Sequence, residues 1–385
     1  MLFGSSFRTV LWRQNALYAP IPMVPGPVTV ARPVLDALAS DYPSGQIDED
    51  FISLHRSVER SLKHLLGTQH PVIIMTGEGM LALWAALKST LVPGDSVLVV
   101  STGFFADGIA DMARSIGATV DCLQLGYDQT IQEEDRATIE QHIKSCHPKM
   151  LCAVHCETPS GTLNPLGLLG ELKQQYEIPL FYADVVSSLG GCPVNVDEWH
   201  IDLALCGSQK CLALPPSLSM VAVSPTAWKY IHEVNYQGYD ALLPFESVYK
   251  AKRWPYTPNW HALAALQASL QSIYAEGIHA VFRRHHHTAS FVHRGLKRLG
   301  IALWPRPEAI LSPTVTAART PEGFDCATWR SELRHHGLVV AGSFGIMADT
   351  VFRLGHMGTQ AYPALAAQAL DVMEEVLSAK RGVWV

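Results

Sequence analysis

Lys210 sits in the stretch Leu203-Ala-Leu-Cys-Gly-Ser-Gln-Lys-Cys-Leu-Ala-Leu-Pro-Pro216. An apolar strand runs into Gly207-Ser208-Gln209. The lysine follows, then more apolar residues and a double proline, with no charged residue in the next ten positions. A lysine held among apolar groups gives up its charge readily. Its neutral amine is then a nucleophile able to form a Schiff base with a carbonyl. The plain alternative is a lysine at a strand end that snorkels to water.

Four other candidates stand at the ends of apolar runs. Glu78-Gly79-Met80 follows Val72–Met75, and Phe105 follows Ser96–Val100. Thr158 follows His155-Cys-Glu157, and Asp184 closes Phe181-Tyr-Ala-Asp184. Singly, each has an ordinary structural use: a glycine turn, a core aromatic, a helix cap. Together they supply the parts that a pyridinium compound needs. A lysine carries its carbonyl, and a carboxylate keeps the ring nitrogen protonated so that the ring draws electrons. An aromatic ring covers one face. A strand-to-helix turn offers backbone N–H groups to an anionic side arm. Arg353, alone among apolar residues in Val351-Phe-Arg-Leu-Gly-His-Met-Gly358, suits a bidentate grip on a substrate carboxylate.

The elements that must position these groups follow from the pattern of the chain. Residues 1–30 read as an irregular, proline-rich arm, with Pro25-Gly26-Pro27 extended or turning. Helices are predicted over residues 30–39 and 48–66. From Pro71, short apolar strands at 72–75, 96–100, 118–123, 150–156, 180–184, 203–207 and 219–224 have helical segments between several of them. That rhythm predicts an α/β fold with a mostly parallel sheet covered on both faces, and open sheets of this kind bind ligands beyond the carboxyl ends of their strands. After Pro258 the pattern changes to a long helical stretch, 261–299, then shorter strands and a last helix, 362–379. The expected division is an arm (1–30), a large α/β domain (31–258) and a smaller α+β domain (259–385) with the N-terminal segment packed on it.

Composition narrows the function. Of 385 residues, 48% are hydrophobic and 17% charged, ordinary for a globular protein of two domains. A net charge of −6 gives no basic footprint for nucleic acid. No apolar run is long enough for a bilayer, and Met1–Arg13 lacks the features of a signal peptide. Eight cysteines without a CxxC pair read as buried free thiols of a reducing, cytoplasmic setting, with Cys152 and Cys156 on one face of a strand. His285-His286-His287 reads as part of a surface helix and not a metal site, because adjacent side chains diverge. No metal is expected.

The order Gly77-Glu-Gly79, Phe104-Phe105, Thr158-Pro-Ser-Gly161, Ala183-Asp-Val-Val-Ser-Ser-Leu-Gly-Gly191, Gly207-Ser-Gln-Lys210, Pro215-Pro216, Tyr256-Thr-Pro258 and Arg353-Leu-Gly355 resembles the class V aminotransferases. More narrowly it is similar to their alanine–glyoxylate and serine–pyruvate branch, over nearly the whole chain. The resemblance implies a fold-type-I homodimer or tetramer with active sites at the subunit interface. It implies Lys210 as Schiff-base lysine and proton shuttle, with Asp184 on the pyridine nitrogen. Val186 and Phe105 would cover the two ring faces, and Thr158 would bond the phenolic oxygen. Glu78, Gly79, Met80 and Gln209 would line the side arm. Thr257 would reach the neighbouring subunit's site, and Arg353 would bind the substrate carboxylate.

Within that branch, phosphate-binding turns carry serine or threonine where this chain has Glu78. A carboxylate repels the phosphate of pyridoxal 5'-phosphate (PLP) but accepts a hydrogen bond from a hydroxymethyl group. Gly77-Glu78, Lys210-Cys211, Ser312-Pro-Thr314, Arg319-Thr-Pro321 and Gly355-His-Met-Gly358 are also similar to the pyridoxamine–pyruvate subgroup, in which unphosphorylated pyridoxamine and pyridoxal are substrate and product. Two positions depart from that subgroup. Phe344 stands where it has a second arginine, nine residues before Arg353, and Gln209 stands where it has asparagine. The alternatives are a PLP-dependent alanine– or serine–glyoxylate (or –pyruvate) aminotransferase, a lyase using Cys326, and a non-enzymatic vitamin-binding protein. Phe324-Asp-Cys-Ala-Thr-Trp329 reads as a helix start, which argues against Cys326 as a mobile nucleophile.

Overall fold

The structure, a computed structural model, describes residues 21–42 and 45–380. Residues 1–20, which include most of the expected arm and Met1–Arg13, lie outside the described residues. So do 43, 44 and 381–385.

The centre is a seven-stranded sheet. From edge to edge it runs Val72–Thr76, Leu218–Val223, Leu203–Gly207, Leu180–Asp184, Met150–Val154, Ser96–Ser101 and Thr119–Gln124. Leu218–Val223 is antiparallel to both neighbours, and every other pair is parallel. The sheet is thus mixed and mostly parallel, in agreement with the α/β expectation. Every residue of its three central strands is buried, as a parallel sheet covered on both faces requires. The helices that follow two of the strands, Gly79–Thr90 and Phe104–Ser115, start at the carboxyl ends where chemistry was expected.

A second core surrounds a three-stranded antiparallel sheet of Val315–Arg319, Val351–Gly355 and Ala341–Gly342, against the helices Ile278–Arg298, Cys326–His335 and Pro363–Lys380. The N-terminal segment packs here: Ile21–Pro22 pairs in parallel with Leu338–Val339. Met23 then continues the exchange, donating to Val339 O and accepting from Gly355 N.

Local sequence explains several boundaries. The helical stretch after Pro258 is two helices, Trp260–Glu276 and Ile278–Arg298, divided at Gly277 with φ 89°. A left-handed residue cannot continue a helix, and only glycine adopts that conformation without strain. The first of these helices buries its apolar face in the larger core. Asp325 caps Cys326–His335 by accepting from Thr328 N, so the helix start read in the sequence is present and Cys326 is buried at its first turn.

Two readings need correction. Cys152 and Cys156 do not share a strand face. The strand ends at Val154, and Cys156 begins a separate short hairpin with Thr162–Leu163. The turn at His155 diverts the chain, with His155 N bonded to Asp184 O. The histidine run is not wholly on the surface either. His285 is fully buried, and its Nε2 accepts from Gly358 N, while His286 and His287 are exposed. All eight cysteines are free thiols.

Candidate active site

Lys210 lies in the turn beyond Leu203–Gly207, and its side chain is largely enclosed. Burial, with Arg353 as a second positive charge nearby, lowers its pKa to about 8. A substantial fraction of the amine is therefore neutral near physiological pH. Its Nζ donates to Pro25 O at 2.5 Å. Gly26, at φ 87°, lies so close that a β-carbon there would stand 2.6 Å from Lys210 Cδ and 3.0 Å from Nζ. The N-terminal segment thus holds the amine by a backbone carbonyl, across 185 residues of sequence. The proline–glycine composition of 25–27 signalled a turn there, but nothing in it pointed to Lys210.

Asp184, at the end of the central strand, is buried and accepts from Val186 N at 2.8 Å. Burial raises its pKa to about 6, and the Val186 N–H and the positive charge of Lys210 hold it from rising further. It remains mostly ionised at neutral pH, a buried carboxylate short of a full cationic partner.

Glu78 is the N-cap of the helix Gly79–Thr90. One carboxylate oxygen accepts from Met80 N at 2.9 Å, and the other accepts from Gln209 Nε2 at 3.1 Å. The Met80 N–H expected for a ligand's side arm is thereby engaged by a side chain of the protein. Gln209 Oε1 is buried without a hydrogen-bond partner among the described residues. Gly79 permits close packing here, since a β-carbon there would lie 3.2 Å from both Val186 methyl groups.

Phe105 is half-buried in the first turn of Phe104–Ser115 and meets Phe104 edge to face, with centroids 5.7 Å apart. Thr158 is buried, with Oγ1 2.5 Å from Ser187 Oγ. Sequence reading passed over Glu157, which is fully buried and accepts from Phe105 N at 3.1 Å and Ala106 N at 2.8 Å. Burial lifts its pKa to about 8, against the pull of those two N–H groups. Its signal was present: a carboxylate closing an apolar run, directly before Thr158.

Arg353, central in Val351–Gly355, is buried. Its Nε donates to Gly342 O at 2.6 Å and its Nη1 to Thr158 O at 3.4 Å. Burial and the nearby Arg330 lower its pKa to about 10, so it stays cationic at neutral pH. Among the described residues no hydrogen bond engages Nη2. The guanidinium lies 4.8 Å over the Phe344 ring. Thr257 is exposed, preceded by Tyr256, whose hydroxyl accepts from Thr76 N. Glu78, Gln209, Val186, Asp184, Lys210 and Thr158 thus meet by contacts or charge coupling beyond the carboxyl edge of the large sheet, and Arg353 reaches them from the three-stranded sheet. Among the described residues no group of three or more His, Cys, Asp or Glu is placed to hold a metal ion.

This arrangement offers a nucleophilic amine, a buried carboxylate, a carboxylate-capped helix terminus and a buried guanidinium. Comparison with known proteins gives it a family. The family model described as aminotransferase class-V matches residues 43–345. An uncharacterised aminotransferase of Methanocaldococcus jannaschii is 35% identical, over 87% of this chain and 87% of its own. The pyridoxamine–pyruvate transaminase of Mesorhizobium japonicum is 30% identical, over 93% and 92%. The crystal structure of ureidoglycine–glyoxylate aminotransferase from Bacillus subtilis superposes with a TM-score of 0.89 at 29% identity, covering 95% of both chains. The mostly parallel sheet is accordingly that of the fold-type-I transferases, whose class V members depend on PLP. On a match through most of the chain and a shared fold, the protein belongs to the class V aminotransferase family.

Proposed function

We propose that this aminotransferase moves the amino group of pyridoxamine to pyruvate or a similar small keto-acid, giving pyridoxal and an amino acid. The observation that carries this reading is Glu78. Its carboxylate occupies the N-terminus of Gly79–Thr90, where a phosphate would otherwise be held, and is fixed there by Met80 N and Gln209 Nε2. A phosphate at such a terminus gains about 0.3–1 kcal/mol from the helix dipole. A like charge about 4 Å away costs roughly 4 kcal/mol at an effective dielectric near 20. Repulsion wins, and a neutral hydroxymethyl arm suits the site better. It can donate its one hydroxyl proton to the Glu78 carboxylate.

The other residues fit a pyridine-based compound. When bound, its protonated ring draws electrons from the carbon that bears the transferred nitrogen. The Asp184 carboxylate holds the ring-nitrogen proton. Lys210, released from Pro25 O, would move the proton between the two carbons through Nζ while its amine is free, and would bond the carbonyl carbon only afterwards, displacing the nitrogen of the product amino acid. Val186 and Phe105 enclose the ring, and Thr158 orients its phenolic oxygen. Arg353 offers Nη2 to the keto-acid carboxylate while backbone carbonyls fix the rest of its guanidinium. Thr257, exposed on its own chain, serves the neighbouring subunit's site in a homodimer.

A second reading, a PLP-dependent alanine– or serine–glyoxylate (or –pyruvate) aminotransferase, is favoured by Gln209 and Phe344, at the two positions where the pyridoxamine subgroup differs. A relative that acts on ureidoglycine and glyoxylate is of comparable similarity. The deciding measurement pairs spectroscopic titrations of wild type and Glu78→Ser with pyridoxal and with PLP. Wild type is expected to prefer pyridoxal, and the variant to move at least about tenfold toward PLP, a swing of roughly 1.4 kcal/mol. Tight PLP binding by wild type, unchanged in the variant, establishes the second reading.

A further inference from the structure

The keto-acid carboxylate, on the reading above, sits at Arg353, and what lies beside that guanidinium selects the rest of the acceptor. Three phenylalanines form a continuous run from the arginine to the helix end. The Arg353 guanidinium lies 4.8 Å from the Phe344 centroid. Phe344 stacks on Phe104 with centroids 5.3 Å apart and rings 28° from parallel. Phe104 in turn meets Phe105 edge to face. Phe344 and Phe104 keep 43% and 39% of their surface exposed, and Ile346, two residues on, keeps 74%. Exposed apolar side chains that adjoin one another beside a binding group mark a surface suited to an apolar ligand group.

The wall is also anchored. Ser343 Oγ donates to Pro159 O at 2.8 Å, next to the Thr158 carbonyl that Arg353 holds. Gly345 turns with φ 56°, and a β-carbon there would stand 3.5 Å from the Phe104 ring. Met347 closes the loop in a fully buried position. The loop therefore presents Phe344 at a fixed distance from the guanidinium.

We propose that Phe344 and Phe104 form a side-chain subsite, and that the acceptor is a 2-oxo acid with an apolar side chain larger than methyl. The inference rests on Arg353 as the carboxylate clamp, and it narrows the acceptor of the reading above from pyruvate to one of the larger apolar 2-oxo acids. A second carboxylate on the acceptor would face phenyl rings, and the methyl group of pyruvate would leave most of the wall uncovered. Each methylene seated on the rings raises kcat/KM about two- to fourfold, up to the ~0.8 kcal/mol of a fully buried CH2.

The test is an acceptor series of glyoxylate, pyruvate, 2-oxobutyrate, 4-methyl-2-oxopentanoate, phenylpyruvate and 2-oxoglutarate. It is run on wild type, Phe344→Ala and Phe344→Leu, once with pyridoxamine as donor and once with serine and PLP, so that no acceptor in the series is the donor's own keto-acid. The expected result is a kcat/KM for 4-methyl-2-oxopentanoate or phenylpyruvate at least about tenfold above pyruvate. Phe344→Ala should lower those two at least about fivefold more than it lowers pyruvate, and Phe344→Leu should restore most of the difference. Highest activity with glyoxylate, pyruvate or 2-oxoglutarate overturns the proposal. So does an equal loss on all acceptors in Phe344→Ala, which would assign the phenylalanines to a subunit contact. Failure with pyridoxamine alone overturns the donor reading, and the acceptor order measured with serine then decides the proposal.

Discussion

At Lys210, burial and the positive charge of Arg353 both favour the neutral amine, and the carboxylate of Asp184 works in the opposite direction. The first two prevail and bring the pKa to about 8, where an exposed lysine remains charged until roughly pH 10.4. The sign is therefore fixed: the reactive neutral form increases as pH rises through about 8. A lysine-selective acylating reagent should modify Lys210 half-maximally near that pH in the unloaded protein. Surface lysines should follow about two units higher. Peptide mapping reads both, with Lys210→Ala as control. A Lys210 profile that overlays the surface lysines would mean that its charge is not suppressed.

The elements matter through what their ends present. Glu78 and Glu157 each place a carboxylate on the first-turn N–H groups of a helix, and both helices start beyond strands of the same sheet. The segment around Gly26 is the other decisive element. It runs from its pairing with Leu338–Val339 to Lys210, linking the small sheet to the amine. Gly26→Ala would combine a left-handed backbone, costing about 1–2 kcal/mol, with a β-carbon 2.6 Å from Lys210 Cδ. The lysine stem must then move. A displacement of about 1 Å at a reacting atom costs on the order of a hundredfold in turnover. The variant should therefore lose activity far out of proportion to a fall of a few degrees in melting temperature, measured by calorimetry beside steady-state rates. Near-wild-type turnover would show that Gly26 only shapes the turn.

For the whole molecule, the exposed position of Thr257, close to Tyr256 and Thr76 at the start of the Glu78 turn, bears on assembly. If Thr257 serves a partner's site, activity depends on association. Light scattering should then give a mass of twice one chain or more at assay concentrations, and turnover per chain should fall on dilution below the dissociation range. Thr257→Ala should reduce activity about tenfold or more without changing the mass. A fully active monomer would remove Thr257 from the site. Among the described residues no helix is long and apolar enough to cross a membrane.

The sequence by itself determined the strands, their order along the chain and the residues at their ends. A short apolar run closed by a turn is a local signal, and Asp184, Glu78, Thr158 and Lys210 all lie at the end of one or within a few residues beyond it. The cap at Asp325 and the position of Arg353 within an apolar strand were legible for the same reason. Gly277, inside an otherwise periodic helical stretch, was visible but did not declare its left-handed conformation. What only the tertiary structure decided is which of these ends face one another, and through which atoms. Pro25 O on Lys210, Gln209 on Glu78, Glu157 under Phe105, and Ser343 on Pro159 join residues 185, 131, 52 and 184 positions apart. No local preference encodes such pairs. They arise because parallel strands return each successive carboxyl end to one edge of the sheet, where the arm and the small sheet then close over it.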